Sequence, residues 1–402
     1  MPPESPFHRL ELSCPSTPED RQDIFDLTAK CFSGSHHYYD WLAEAEAYFH
    51  PEHYDAEAST IGRIDGRIVT HWGVWGYRMR VGRARLATAG IGAVATAGDL
   101  RGKGLMAATA LAGLDRIRQA GYDFSVLFGI GDFYHRFGYV AGWPDTDWQV
   151  QTARLPEKPA SMKLRKCSPL DERIAELYNR SHAGLVASAI RPTCRQLPPR
   201  RQGWCWESDG RIVGYVVTGK GGGRFECVEA GGPAELALGA LRHLATKAGA
   251  STVHFPSLPA GDGTAQWLRT NDGTRTEKFA RSGGPMVRTV NLLSCLRKMR
   301  PELQARLACS PAHGWQGRFG IGDGVDRVAL KIREGKIQVA PAESLGQHGV
   351  EAGPAAARLL IGSDQPAQVA RDAGLKLQGD APLLLEALFP ARQPMLRRLD
   401  SF

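Results

Sequence analysis

The chain has 402 residues, of which 43% are hydrophobic and 23% charged, a balance that fits a globular protein of two to four domains and excludes a disordered or collagen-like chain. No apolar run reaches the roughly eighteen residues of a membrane span, and Met1-Pro-Pro-Glu-Ser-Pro-Phe-His-Arg9 lacks the apolar core of a signal peptide, so the expected location is the cytoplasm. The net charge of +8 is dispersed along the chain, which reads as solvated surface with attraction for a polyanionic ligand rather than as a nucleic-acid stripe.

Thr17-Pro18 opens an amphipathic helix over Glu19 to Cys31. A dense aromatic stretch follows, with His36, His37, Tyr38, Tyr39 and Trp41. The His36-His37 pair has no third ligand of known geometry nearby, so no metal is expected there. Asp65-Gly66 signals a hairpin whose strands reach Trp75 and Met79, and Arg83–Thr96 supplies two more strands.

The segment Ala93-Val-Ala-Thr-Ala-Gly-Asp-Leu-Arg-Gly-Lys-Gly-Leu-Met106 carries the first chemical signal. A strand runs into an Arg-Gly-Lys-Gly loop that opens a helix over Leu105 to about Ala120. Such a loop presents unpaired backbone N–H groups at the positive end of a helix dipole, which suits a pyrophosphate. Gly102 and Gly104 let the backbone approach the phosphates, and Arg101 and Lys103 add charge. The spacing matches neither the nucleoside-triphosphate loop nor the dinucleotide fingerprint, since Ala107 stands where a third glycine would be. The apolar strand Tyr122–Phe128 then leads into Gly129-Ile-Gly-Asp-Phe-Tyr-His-Arg-Phe-Gly-Tyr139.

Further on, Asp65-Gly-Arg-Ile-Val69 recurs 144 residues later as Asp209-Gly-Arg-Ile-Val213. Strands, a helix from Ala234 to about Lys247 and the strand Ser251–Phe255 follow the second copy. Where the phosphate loop belongs, this copy has Glu229-Ala-Gly-Gly-Pro-Ala-Glu235. The proline removes a donor and the glutamates repel phosphate, so this copy is not expected to bind a nucleotide. From about Ser282 a strand at Val287, a helix over Leu293–Leu307, an antiparallel set around Arg318–Val339 and helices near Pro354–Ile361 and Pro366–Ala373 complete the chain. The eight cysteines form no Cys-x-x-Cys and read as free thiols in a reducing compartment.

This arrangement resembles the enhanced intracellular survival (Eis) family of bacterial acetyltransferases, within the GCN5-related N-acetyltransferases. Arg101-Gly-Lys-Gly104, Phe133-Tyr-His-Arg-Phe-Gly-Tyr139 and the closing Leu399-Asp-Ser-Phe402 carry the resemblance. It implies an α/β chain with tandem acetyltransferase folds, the second degenerate, followed by a sterol-carrier-like domain: residues 1–155 catalytic, 156–285 degenerate, 286–402 sterol-carrier-like and ending in the active site. It implies acetyl-CoA as co-substrate, without a metal. Arg101, Gly102, Lys103, Gly104, Leu105 and Met106 would hold the pyrophosphate, and Val94, Ala95 and Thr96 the pantetheine arm. Tyr134 would be the general acid and the α-carboxylate of Phe402 the base.

The implied reaction is direct transfer of an acetyl group to a primary amine of a small cationic acceptor, of aminoglycoside or polyamine type. Asp26, His37, Asp40, Trp41 and Asp400 are the candidate acceptor residues, because the first helices and the chain end would wall the acceptor cleft. Where aminoglycoside-acetylating members have a serine-containing stretch, this chain has Gly129-Ile-Gly-Asp132, so their acceptor preference is not implied. Two rival readings are a protein or peptide lysine acetyltransferase and a non-enzymatic acyl-CoA or lipid binder. The family forms rings of dimers, which implies a homohexamer; neither a membrane nor a nucleic acid is an expected partner.

Overall fold

A computed structural model describes residues 9–32, 49, 52–169, 171–192, 201–221, 224–400 and 402. Strand β1 (Glu11–Ser13) leads into helix α1 (Pro18–Phe32). The Asp20 carboxylate accepts from the Ser16 and Thr17 amides, at 2.8 and 3.2 Å, and the Asp20 amide donates back to the Thr17 hydroxyl at 3.1 Å. This reciprocal capping, with Pro18 at the first helical position, starts the helix where the sequence predicts it.

Strands β2 (Thr60–Ile64), β3 (Arg67–Val81) and β4 (Ala84–Thr96) form an antiparallel run. The first hairpin turns at Asp65 and Gly66, with φ of 52° and 77°, the backbone that an Asp-Gly turn adopts most readily. Helix α2 (Leu105–Gln119) then crosses to β5 (Phe124–Gly129), which pairs parallel with β4. Met106, Ala110, Leu114 and Ile117 share one face of α2 and pack against Trp72 and Val74 of β3. Trp75, on the opposite face of β3, packs with Ile24 and Leu27 of α1. Each indole is fully buried, and removal of its ring carbons from water stabilises the fold. The sequence divides Arg83–Thr96 into two strands. The structure has one, because a bulge at Ala93, with φ of 46°, kinks β4 without ending it.

After β6 (Val140–Ala141), strand β7 (Asp145–Gln151) leaves the first sheet. A second sheet follows with the same plan. Strands β8 (Arg165–Cys167), β9 (Gln202–Ser208), β10 (Arg211–Gly221) and β11 (Arg224–Gly231) are antiparallel, with α3 (Glu172–Ser181) inserted after β8. Helix α4 (Ala234–Lys247) crosses to β12 (Thr252–Pro256), parallel to β11; α5 (Gly263–Thr270) and β13 (Thr274–Lys278) follow. The turn at Asp209 and Gly210 repeats the φ values of the first hairpin, at 51° and 72°.

The two sheets exchange strands. β7 lies between β12 and β13 of the second sheet, whereas β14 (Gly284–Thr289) returns to pair antiparallel with β5 of the first. The expected divisions at 155 and 285 therefore do not follow the sheets. Helix α6 (Leu292–Ala308) leads to a third sheet of β15 (Gly317–Gly322), β16 (Arg327–Arg333), β17 (Lys336–Pro341), β18 (His348–Glu351) and β19 (Leu377–Gln378), covered by α7 (Ala356–Ile361), α8 (Pro366–Asp372) and α9 (Ala381–Leu388). One hydrophobic core joins this sheet to the first, running from Met79 and Phe124 through Leu296 and Leu303 to Phe319 and Leu330.

Candidate active site

The parallel pairing of β4 with β5 stops at Ile91 and Leu127, and beyond it the strands diverge. Residues 93 and 94 together oppose Trp72, because the register passes from Gly73–Gly92 to His71–Ala95. This bulge takes backbone groups out of the ladder where the gap between β4 and β5 opens. His71 fixes it. Its Nδ1 lies 2.8 Å from the Ala93 carbonyl, and its Nε2 lies 2.9 Å from the Tyr54 hydroxyl. A carbonyl only accepts, so Nδ1 carries the proton and Nε2 accepts from Tyr54. Complete burial holds the imidazole neutral and lowers its pKa to about 4.

A cleft of about 870 Å³ lies at this gap. Val94, Ala95, Thr96, Arg101, Gly102, Lys103, Gly104, Leu105, Met106, Tyr134 and Phe402 all line it, so eleven sequence-predicted residues come together. Gly102 and Gly104 have φ of 76° and 79°, which only glycine adopts without strain, and a Cβ on either would meet open space. Glycine is thus kept there by backbone conformation. Gly104 is the N-cap of α2 and has no side chain to cap the helix, which leaves its first amides for another acceptor. The charged side chains on the cleft, Arg101, Lys103 and Arg136, are all cationic. Among the described residues no carboxylate side chain lines it.

Tyr134 begins the single turn Tyr134–Phe137, which Gly138 ends with φ of 75°. Its ring packs against Gly129 at the end of β5, where a Cβ would come within 2.4 Å of the ring. It also lies 6.0 Å from the Trp72 ring and 5.0 Å, edge on, from Phe133. Burial pushes its phenol up to about 12, so it stays protonated at neutral pH. Tyr139 is held differently. Ser125 donates to the Ala89 carbonyl at 2.9 Å and accepts from the Tyr139 hydroxyl at 2.7 Å. The returning strand β14 supports the same turn, because Arg288 donates to the Phe137 carbonyl.

Phe402 enters the cleft from the opposite side. Its ring lies over Gly90 and is 5.7 Å from the Tyr77 ring and 5.9 Å from that of Phe128. Asp26 is half-buried on α1, accepts from the Gln22 amide at 3.2 Å, and does not line the cleft. Asp400 does not line it either. Its carboxylate is fully buried beside Arg191, at 2.9 Å. The guanidinium donates to both of its oxygens, at 2.9 and 3.1 Å. His37, Asp40 and Trp41 lie outside the described residues. The cleft also includes Cys31 and Phe32 from the end of α1, and Phe128 and Ile130 from beyond the splay, which the sequence reading missed. The sequence signal for the latter pair is position alone, since Phe128 and Ile130 directly precede the Phe133–Tyr139 motif; their exposure emerges only in the fold.

Residues 15–142 match a family model for an acetyltransferase (GNAT) domain. No curated protein matches the chain in sequence. Three solved structures share the fold across 98% of this chain and 100% of their own: a GCN5-related N-acetyltransferase from Anabaena variabilis (17% identity, TM-score 0.76), one from Kribbella flavida (20%, 0.72), and Eis1 from Mycobacterium abscessus (15%, 0.68). The chain is an acyltransferase whose acetyltransferase domain spans residues 15–142.

Proposed function

We propose that the chain is an Eis-type enzyme that transfers an acetyl group from acetyl-CoA to a primary amine of a small cationic acceptor, aminoglycoside- or polyamine-like. One observation supports this most: the Arg101–Gly104 loop, the bulge of β4, Tyr134 and Phe402 all border a single cleft. The free amides opening α2, the two positive-φ glycines and the cationic rim suit a pyrophosphate. Bound acetyl-CoA would supply an activated thioester. Arg101, Lys103 and the amides of Leu105 and Met106 hold its phosphates, and Val94, Ala95 and Thr96 pair with the pantetheine arm along the open edge of β4. The Val94 amide, at the bulge of β4, polarises the acyl carbonyl.

Tyr134 donates its proton to the departing thiolate, a role that burial of the phenol favours by keeping it protonated. The α-carboxylate of Phe402 takes the proton of the attacking amine. A cationic amine is drawn to that carboxylate and to the faces of Phe32, Phe128 and Phe402. The reading divides the chain into a catalytic unit over 1–155, a degenerate acetyltransferase-like unit over 156–285 and a sterol-carrier-like unit over 286–402, with the strand exchange joining the first two. It takes the enzyme as a cytoplasmic homohexamer, so sedimentation of monomer alone would remove that part. The test of the function is mass detection of acetylated product from polyamines, aminoglycosides and lysine peptides incubated with acetyl-CoA. Product from small cationic amines is expected; product from lysine peptides alone would move the assignment to a protein acetyltransferase.

A further inference from the structure

The second sheet repeats the splay of the first. Its parallel pairing ends at Glu226 and His254, while β11 runs on to Gly231 and β12 to Pro256. A bulge follows at Val228, two residues past the last pair, as the bulge at Ala93 follows Ile91. Glu229 therefore stands in the second gap where the first sheet presents the Val94 region.

The chain's own last turn occupies this place. The turn Arg398–Asp400 lies against β11, and Leu399 joins the buried cluster that includes Tyr178, Tyr215 and Val228. Arg191 donates to both Asp400 oxygens at 2.9 and 3.1 Å and to both Glu229 oxygens at 2.7 Å. The Glu229 carboxylate also accepts from the Tyr215 hydroxyl at 2.6 Å, and the Tyr178 ring stacks 3.7 Å under the Arg191 guanidinium. On the β12 side Arg397, 1% exposed, donates to Asp262 at 2.7 Å, to the Ser257 carbonyl at 3.4 Å and to His182 at 3.2 Å. Arg397 and Asp400 thus tie the tail to both lips of the second gap, one turn before Phe402 enters the first.

We infer that the vestigial second cleft is a binding site for the chain's own C-terminal segment, and that Arg191 and Glu229 are positioning residues that set Phe402 in the active cleft. Buried charges are costly to desolvate unless paired, so a cluster of this kind holds one geometry and tolerates few others. Two carboxylates share one guanidinium, and the second of them comes from the tail. Loss of Asp400 leaves Arg191 and Glu229 paired with each other and Arg397 on its own partners, so the fold survives while the residues beyond Arg397 are released. This inference rests on the proposed role of Phe402.

The experiment uses the full chain, Asp400→Asn, and Leu399→Ala, which touches the tail and leaves every buried charge paired. Carboxypeptidase release of Phe402, followed by mass, reads anchoring; steady-state kinetics read positioning. Both variants are expected to lose Phe402 at least about tenfold faster and to lower kcat roughly 10- to 100-fold, with KM for acetyl-CoA within about twofold. On a chain already lacking Phe402, Asp400→Asn should have no further effect on kcat, because the two changes act through one group. Unchanged protection of Phe402 in folded variants overturns the inference, as does an equal loss of kcat on the shortened chain. Rapid release with unchanged kcat overturns the catalytic role of Phe402 and leaves the tail site standing.

Discussion

A Cβ on Gly90 would lie 2.4 Å from the ring of Phe402, so strand β4 and the last residue of the chain fit together only because position 90 has no side chain. The partners are 312 residues apart in sequence. Gly90→Ala is expected to keep the strand, whose backbone conformation alanine accepts, and to push the aromatic ring out of the cleft. A misplacement of about 1 Å at a reacting group costs up to roughly 100-fold in rate. Steady-state kinetics should show that loss in kcat, with KM for acetyl-CoA unchanged; a wild-type kcat would mean that the position of Phe402 is immaterial.

Tyr134→Phe removes the proton donor and keeps the ring packing against Trp72, Phe133 and Gly129. A positioned general acid contributes about 10²- to 10⁴-fold, and kcat should fall by that amount. With its pKa pushed up to about 12, the phenol should cause no alkaline fall in kcat below about pH 11. A wild-type limb near pH 8–9 that disappears in the variant would assign the titration to Tyr134 and refute its protonated state.

Arg101→Ala and Lys103→Ala should each raise KM for acetyl-CoA by roughly tenfold or more, since a charge-assisted hydrogen bond contributes about 1.5–3 kcal/mol. Both side chains are exposed on the rim of the cleft, so added salt should weaken the wild-type interaction and narrow the difference. Titration calorimetry with CoA at two salt concentrations measures it directly. Equal affinities for wild type and the double variant would take the phosphates away from this loop.

His71 sets an acid limit on stability. Its folded pKa, about 4, lies below the ordinary value of 6.5, so the unfolded chain binds the proton more readily. The neutral-imidazole contribution is complete above pH 6.5 and is lost as pH falls from there through 4, amounting to about 3 kcal/mol. His182, lowered to about 3 by burial and by Arg397, adds loss in the same direction. Urea unfolding from pH 7 to pH 4 should show falling stability, and His71→Phe should flatten the slope. It should also lower kcat, because the Ala93 carbonyl of the bulge loses its partner.

The parts of the site set by local chemistry were legible in the sequence. Glycines 102 and 104 announce a backbone that needs positive φ, and α2 follows from the spacing of its apolar residues. The Tyr134 turn follows from its motif. What escaped was long-range. Nothing in Asp145–Gln151 or Gly284–Thr289 says that each pairs in the other's sheet, because the first alternates as any half-buried strand would, the second is a short buried run, and neither pattern names a pairing partner. His71 reads as one more strand residue until its two ring nitrogens are seen between Tyr54 and Ala93. Asp400 reads in the sequence as an acceptor-side carboxylate near the chain end, and its burial beside Arg191, 209 residues earlier, is a long-range contact that no local pattern announces.

The most direct measurement is amine-dependent release of free CoA thiol by wild type, Tyr134→Phe and a chain lacking Phe402, all at saturating acetyl-CoA. The account predicts release that rises with a small cationic amine, falls at least about 100-fold in Tyr134→Phe and falls again when Phe402 is absent, with CoA binding intact in all three. Release at the wild-type rate from either altered chain would contradict the assignment of acid and base to this cleft.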